Sequence, residues 1–342
     1  MVTWELYPET EGGQGWDSLL LQASDYTVFQ SFGWGECKRM TGWHPMRYVA
    51  RSKDDKVVGM VQLLVKLLPL GFGVAWAPGG PVQGFNSDGG ALIGRDLSGL
   101  LVELQSNYPH VLVRFNSHIP NKTDLAYRFS QACRRPYFKI NSGFTIHMDV
   151  AASCDGLVSN LTSKHRYYIK RAEGAGLHWT SGVSDHDIAA LVRVHKEMVK
   201  HKNLSLTAIS EKEVVNFRKS LGEQGLTVLT GYAGAEPVTS CLTLNFGQKS
   251  IYMVAATNNR GRDLSAAYAM VTQLILLLQQ KGIKHFDFGG IAPSSLSAAG
   301  VDHFKRGFGG VVVEYLGEWE SAKTEWVKLA MNLAIWKRGG RV

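Results

Sequence analysis

Apolar and polar positions along this chain fall into the two repeats that separate strands from helices. In the first half, Arg47 to Arg51 and Val57 to Lys66 predict strands joined by a turn at Lys53-Asp54-Asp55. Val74 to Trp76 predicts a third strand, running into Ala77-Pro78-Gly79-Gly80-Pro81. Val111 to Phe115 is a further strand, and Thr145 to Val150 is expected to close this half. Helices are predicted over Ser18 to Ser24, Ser31 to Thr41, Ala91 to Ser106 and Leu125 to Cys133.

The second half opens with a predicted helix from Asp155 to Gly174, with Leu157, Leu161, Tyr168 and Ala172 on one face. Helices over Asp185 to Lys200 and Glu211 to Leu221 follow, with Asp185 and Ser210 as expected N-caps. Strands are predicted at Leu226 to Tyr232, Pro237 to Phe246 and Ser250 to Ala255. A strongly apolar helix, Asp263 to Gln280, is stopped by Gly282. A short strand at His285 to Phe288, a loop and a strand at Val311 to Leu316 come next. The final helix, Glu320 to Lys337, carries Trp326, Leu329, Leu333 and Trp336 on one side. Each half runs helices, a small antiparallel meander, a long helix and another strand, without a repeat of residue identity.

A length of 342 residues makes two domains the expectation, and 45% hydrophobic content supplies their cores. Lys plus Arg, 37, exceeds Asp plus Glu, 29, leaving a net charge of +8. That favours a polyanionic partner: nucleic acid, an anionic lipid surface or a phosphorylated small molecule. Cys37, Cys133, Cys154 and Cys241 stand far apart, with no zinc spacing among them. Met1 to Trp16 is acidic and polar, unlike a secretory leader. The apolar stretch Val57 to Ala77 holds Gln62, Lys66, Pro69, Gly71 and Gly73. A central lysine costs about 3 kcal/mol in a lipid-facing helix, so two strands fit this stretch better than a membrane span. The expectation is a cytoplasmic protein with reduced thiols and no transmembrane segment.

Several standard sites are missing from the chain. It has no phosphate loop of the ATPase kind and no Gly-x-Ser-x-Gly elbow, and Gly71-Phe72-Gly73 lacks the third glycine of a dinucleotide fingerprint. The densest chemistry lies near the C-terminus. His285-Phe286-Asp287-Phe288 ends in Gly289-Gly290, and Phe304-Lys305-Arg306 is followed by Gly307-Phe308-Gly309-Gly310. Glycines allow close backbone approach, and the two cations suit an anionic ligand or a developing oxyanion. Arg262-Asp263-Leu264-Ser265-Ala266-Ala267 stands where acetyl-CoA-dependent transferases hold pyrophosphate at a helix N-terminus, but Ser265 replaces the first glycine. Lys164, Arg166, Lys170 and Arg171, interleaved with Tyr167 and Tyr168, read either as a solvated helix face or as a phosphate or RNA contact. Trp34 and Lys38, four apart, place an indole beside an ammonium, which suits a sugar or nucleotide diphosphate.

Taken in order, these segments resemble the Fem family, tRNA-dependent aminoacyltransferases that build peptidoglycan cross-bridges. The matching pieces are Gln30-Ser31-x-x-Trp34-x-x-x-Lys38, Ala77-Pro78-Gly79-Gly80-Pro81-Val82, Lys164-x-Arg166-Tyr167-Tyr168-Ile169-Lys170-x-Ala172-x-x-x-Gly176, Tyr252 to Asn258, Phe286 to Gly290 and Phe304 to Gly310. The resemblance implies an α/β protein of two tandem acetyltransferase-like (GNAT) domains. These span 1–150, with 318–342 packing back on the first domain, and 151–317. The short gap from Lys202 to Ser210 implies the compact form without a coiled-coil arm.

The implied reaction is aminolysis of an ester with no cofactor. Aminoacyl-tRNA is the co-substrate, and the acceptor is an amine on a uridine-diphosphate-linked or lipid-linked muropeptide. Peripheral contact with a membrane fits the lipid-linked case. By resemblance, Lys305 holds the tRNA end or the oxyanion with Phe304 beside it, and Lys38 binds a diphosphate. Tyr252 and Trp34 line the acceptor groove, and Arg166, Lys170 and Arg306 supply phosphate contacts. Two departures put the acceptor in question. Arg114-Phe115-Asn116-Ser117 lacks the acidic residue and proline that family members place at that strand end, and His201 to Ser205 lacks an arginine. An acyl-CoA-dependent N-acyltransferase, or a tRNA-dependent ligase acting on a small natural product, is the alternative.

Overall fold

A computed structural model of the chain describes residues 2–85, 94–151, 159–202, 208–295 and 298–337. The expected helix start at Asp155 with Leu157, and Cys154, lie outside these residues. The chain divides into two compact units, Met1–Phe144 with Glu314–Val342, and Thr145–Val313.

The sheet of the first unit contains β1 (Thr3–Leu6), β2 (His44–Arg51), β3 (Val57–Leu67), β4 (Gly73–Pro78), β5 (Val111–Pro120) and β12 (Val311–Ser321). They lie in the order β1-β2-β3-β4-β5-β12. Neighbours are antiparallel except β4 and β5, which pair in parallel from Gly73↔Val111 to Pro78↔Asn116. A parallel pair needs a crossover, which runs through α3 (Gly94–Asn107). The unit also contains α1 (Gly12–Leu20), α2 (Phe32–Arg39), α4 (Thr123–Ser130) and α11 (Glu325–Lys337). Leu63, Leu100, Phe115 and Phe129 are fully or almost fully buried in one cluster with Tyr48 and Trp319.

The second unit repeats the plan. Its sheet contains β6 (Phe144–Asp149), β7 (His178–Gly182), β8 (Leu226–Ala233), β9 (Glu236–Phe246), β10 (Lys249–Thr257) and β11 (His285–Asp287). The meander β7-β8-β9-β10 is antiparallel, β10 and β11 are parallel, and β6 closes antiparallel on β11. Its helices are α5 (Ser163–Glu173), α6 (Asp185–Lys202), α7 (Glu211–Leu221), α8 (Asn259–Asp263), α9 (Ala266–Gln280) and α10 (Ala299–Arg306). Here α9 makes the crossover between the parallel strands.

Several expectations need correcting. The strand at Phe144–Asp149 does not close the first half; it pairs with β11 in the second unit. The sixth strand of the first sheet is β12, from the far end of the chain. The last helix begins at Glu325, because Glu318 and Glu320 are buried strand residues. There Glu320 receives Nη2 of Arg114 at 2.7 Å, Glu318 faces Nη1 at 3.3 Å, and Asn332 of α11 completes the cluster at 2.8 Å. The apolar helix of the second half is broken at Ser265, whose φ of 58° separates α8 from α9. The buried face of α5 is His165, Ile169 and Ala172, not Leu161 and Tyr168. Ser184, rather than Asp185, caps α6, accepting from Asp187 N while the Asp187 carboxylate accepts from Ser184 N. Asp185 instead pairs with Arg218 at 2.8 Å. Ser210 does cap α7, in a reciprocal box with Glu213.

Candidate functional site

Within the second unit, the β6–β11 register sets His147 directly opposite Asp287. Oδ1 of Asp287 accepts from Gly289 N at 2.8 Å and from the Thr145 hydroxyl, and Oδ2 faces His147 Nε2 at 3.7 Å. Burial opposes charge on this carboxyl, but the neighbouring His147 and the bonds from Thr145 and Gly289 outweigh it and hold its pKa below the usual range. Asp287 thus organises the glycine pair, as its place in the sequence suggests. Gly289 has φ +76°, and a β-carbon there would lie 2.9 Å from the Tyr252 carbonyl. Only glycine fits this turn without strain.

Lys305 sits in the last turn of α10. Its Nζ donates to Gly290 O at 2.8 Å and Gly289 O at 3.2 Å. Among the described residues, the loop thus takes two of the three ammonium donors. Asp302, one turn earlier, accepts from Ala292 N at 3.1 Å and ties the same loop to α10. Burial lowers the Lys305 pKa, with Asp287 and Asp302 opposing the shift.

Phe304 belongs to an aromatic cluster. Its ring lies 5.1 Å from both Tyr268 and Phe308, and its carbonyl accepts from His165 Nε2 at 2.9 Å. A carbonyl cannot donate, so His165 carries its proton on Nε2 and takes the Thr162 hydroxyl on Nδ1 at 2.8 Å. Burial lowers the His165 pKa and keeps the ring neutral. Gly307 lies against this ring, and a β-carbon at 307 would overlap the imidazole. Gly307→Ala is expected to cost about 1–3 kcal/mol by overpacking. Urea melts of the purified variant check this, and an unchanged midpoint would contradict it.

The other expected site residues are placed as follows. Arg306, Arg166 and Lys170 are exposed, and the Arg166 guanidinium donates to the Leu161 carbonyl. The Tyr252 hydroxyl is buried without a hydrogen-bond partner, and its ring meets Phe286 at 5.8 Å and Phe288 at 5.2 Å. It therefore offers no hydroxyl to an acceptor. In the first unit, Ser31 caps α2, Trp34 is 4% exposed, and Lys38 Nζ stands 4.4 Å from the indole centre. This is the expected cation–π pair, with the indole mostly buried. At the loop considered for coenzyme A, Ser265 adopts the left-handed conformation without a capping bond, and the Asp263 carbonyl is taken by Arg171 at 2.8 Å. An open cavity of about 550 Å³ is lined by Glu197, Lys200, His201, Glu236 and Asn258 to Arg260.

Motif reading missed His147 and Thr145. A lone histidine in a strand carries no spacing signal; only strand register places it against Asp287.

The FemAB family model matches residues 195–332, which include Asp287, Gly289 and Lys305. The chain is 25% identical over 122 residues to the aminoacyltransferase FemA of Staphylococcus epidermidis. That match spans 35% of this chain and 28% of the relative. Among solved structures, FemX superposes with a TM-score of 0.80 at 15% identity, over 96% of this chain and all of FemX. A tandem GNAT protein from the clavulanic acid biosynthesis pathway superposes at 0.57 and 11% identity, over 95% of this chain and 99% of that one. These findings bear out the resemblance to the Fem family and the fold of two GNAT-like domains.

Proposed function

We propose that this chain, with the fold of FemX and a FemAB match across its candidate site, is an aminoacyltransferase. It moves an aminoacyl group from the 3′ end of a tRNA to an amine of a peptidoglycan precursor. The observation that carries this reading is the Lys305 ammonium, fixed to the Gly289-Gly290 turn beside the Asp287–His147 pair.

The chemistry needs no covalent enzyme intermediate. Among the described residues, Cys37, Cys133 and Cys241 are buried, and burial pushes the last two thiols up to about 12. Such thiols are poor nucleophiles near neutral pH. The acceptor amine attacks the ester carbonyl, its lone pair forming the C–N bond as the carbonyl pair moves onto oxygen. Lys305 faces that oxyanion. His147 takes the proton released by the amine, and Asp287 stabilises the resulting imidazolium. The C–O bond to the ribose then breaks, and the 3′ oxygen receives the proton.

His147→Gln is expected to lower kcat by about 10²–10⁴-fold with little change in KM for tRNA. Initial rates measure this, and an unchanged kcat removes His147 from the mechanism. The reading itself is tested by incubating the protein with a full set of labelled aminoacyl-tRNAs and uridine-diphosphate muropeptide. Label is expected in an amide of the muropeptide. Transfer from no charged tRNA rejects the reading.

A further inference from the structure

Helix α11 is apolar on both sides. Its inner face, Val327, Met331 and Ile335, packs with Leu112, Leu68, Phe72 and Val74. Its outer face presents Trp326 and Leu329 at 51% exposure, Leu333 at 43% and Trp336 at 36%. At 3.6 residues per turn these four fall within an arc of about 80°. A helix with apolar faces on both sides is normally covered on both.

The patch continues beyond the helix. The Trp326 ring meets Phe72 edge-on at 5.3 Å, and Phe72 follows directly on the Pro69–Gly71 turn. At the tip of that turn Leu70 is 88% exposed in the left-handed conformation, φ 64°. Leu67, at the end of β3, is 52% exposed. Apolar side chains held out in this way mark an interaction surface.

We propose that the outer face of α11 and the Pro69–Gly71 turn together dock on an anionic lipid bilayer. The charges decide the occupant. Lys66 lies at the base of the turn, and Lys323 and Lys337 are exposed at the two ends of α11. The acid of the helix, Glu325, is engaged by the Tyr137 hydroxyl at 3.1 Å. Leucines in the middle, a tryptophan toward each end and a lysine rim match the layers of a membrane surface: acyl chains, interface and phosphates. A bilayer also asks for no directional hydrogen bonds, and the outer face of the helix offers almost none. Among the described residues no helix is long and apolar enough to cross a membrane. The contact is therefore interfacial, reaching about 5–10 Å into the headgroup region. This inference does not depend on the proposed reaction.

The test is flotation of the purified chain with phosphatidylcholine vesicles, with and without phosphatidylglycerol. The wild type is expected to float with the anionic vesicles and far less with the neutral ones. The double variant Leu70→Glu/Leu333→Glu is expected to bind at least about tenfold more weakly, and Lys323→Glu/Lys337→Glu to lose the preference for anionic lipid. All four positions are exposed, so circular-dichroism melts should match the wild type. The proposal is overturned if the wild type stays with the soluble fraction, or if both variants float as it does. It is equally overturned if light scattering shows a two-chain wild type that Leu333→Glu converts to one chain, since a second copy then covers the face.

Discussion

Arg114→Ala is expected to lower the stability of the first unit by about 3–5 kcal/mol. The side chain is 1% exposed and bonds Glu320, Glu318 and Asn332 as well as the Phe138 carbonyl. Glu318 in turn accepts from the backbone N–H groups of Ile140 and Asn141 at 2.8 and 2.7 Å. One arginine thus joins β5, β12, α11 and the segment before β6. Removing it leaves two buried carboxylates without their guanidinium, with Lys328 still 3.9 Å from Glu320, and the cost is their desolvation rather than the worth of the pair. Urea denaturation measures the loss. Adding Glu320→Gln should recover part of it, since the two changes share one network. A variant within about 1 kcal/mol of wild type would show that the two carboxylates tolerate losing their partner.

Lys305→Ala is expected to lower kcat by about 10²–10³-fold, the scale seen when one donor to an oxyanion is lost. The pH dependence carries a second signature. Burial disfavours the ammonium, so its pKa lies below the ordinary lysine value of 10.5. The cation is present below that lowered pKa and is lost as pH rises through it. The rate, corrected for spontaneous ester hydrolysis, should therefore begin to fall on the alkaline side before an ordinary lysine would titrate. The alanine variant should lack that limb. A wild-type profile that stays flat to pH 10.5 contradicts a buried, catalytic ammonium.

Local chemistry made part of this structure legible. Ser210 and Glu213 announce α7, and the β-branched apolar run of Val57 to Lys66 announces β3. The Gly289-Gly290 and Phe304-Lys305 segments pointed to the candidate site, although a strand end followed by two solvated cations reads the same in sequence. What escaped was set by distant partners. Periodicity cannot say which sheet a strand joins, so β6 and β12 pair outside the halves in which chain order places them. The apolar run through Leu264 and Ala266 hid the break at Ser265. Tyr168 looked like core on α5, yet the buried residue there is His165, held by Thr162 and Phe304. His147 meets Asp287, a residue 140 positions later in the chain, only because strand register places the two opposite one another.

Single-turnover transfer from a labelled, saturating aminoacyl-tRNA in wild type and Lys305→Ala tests the central claim most directly. With the tRNA fully bound, any effect of Lys305 on docking disappears and only its effect on the oxyanion remains. The predicted result is a transfer rate at least about 100-fold lower in the variant, with unchanged affinity for the tRNA. An equal rate at saturation would contradict it and reduce Lys305 to a binding residue.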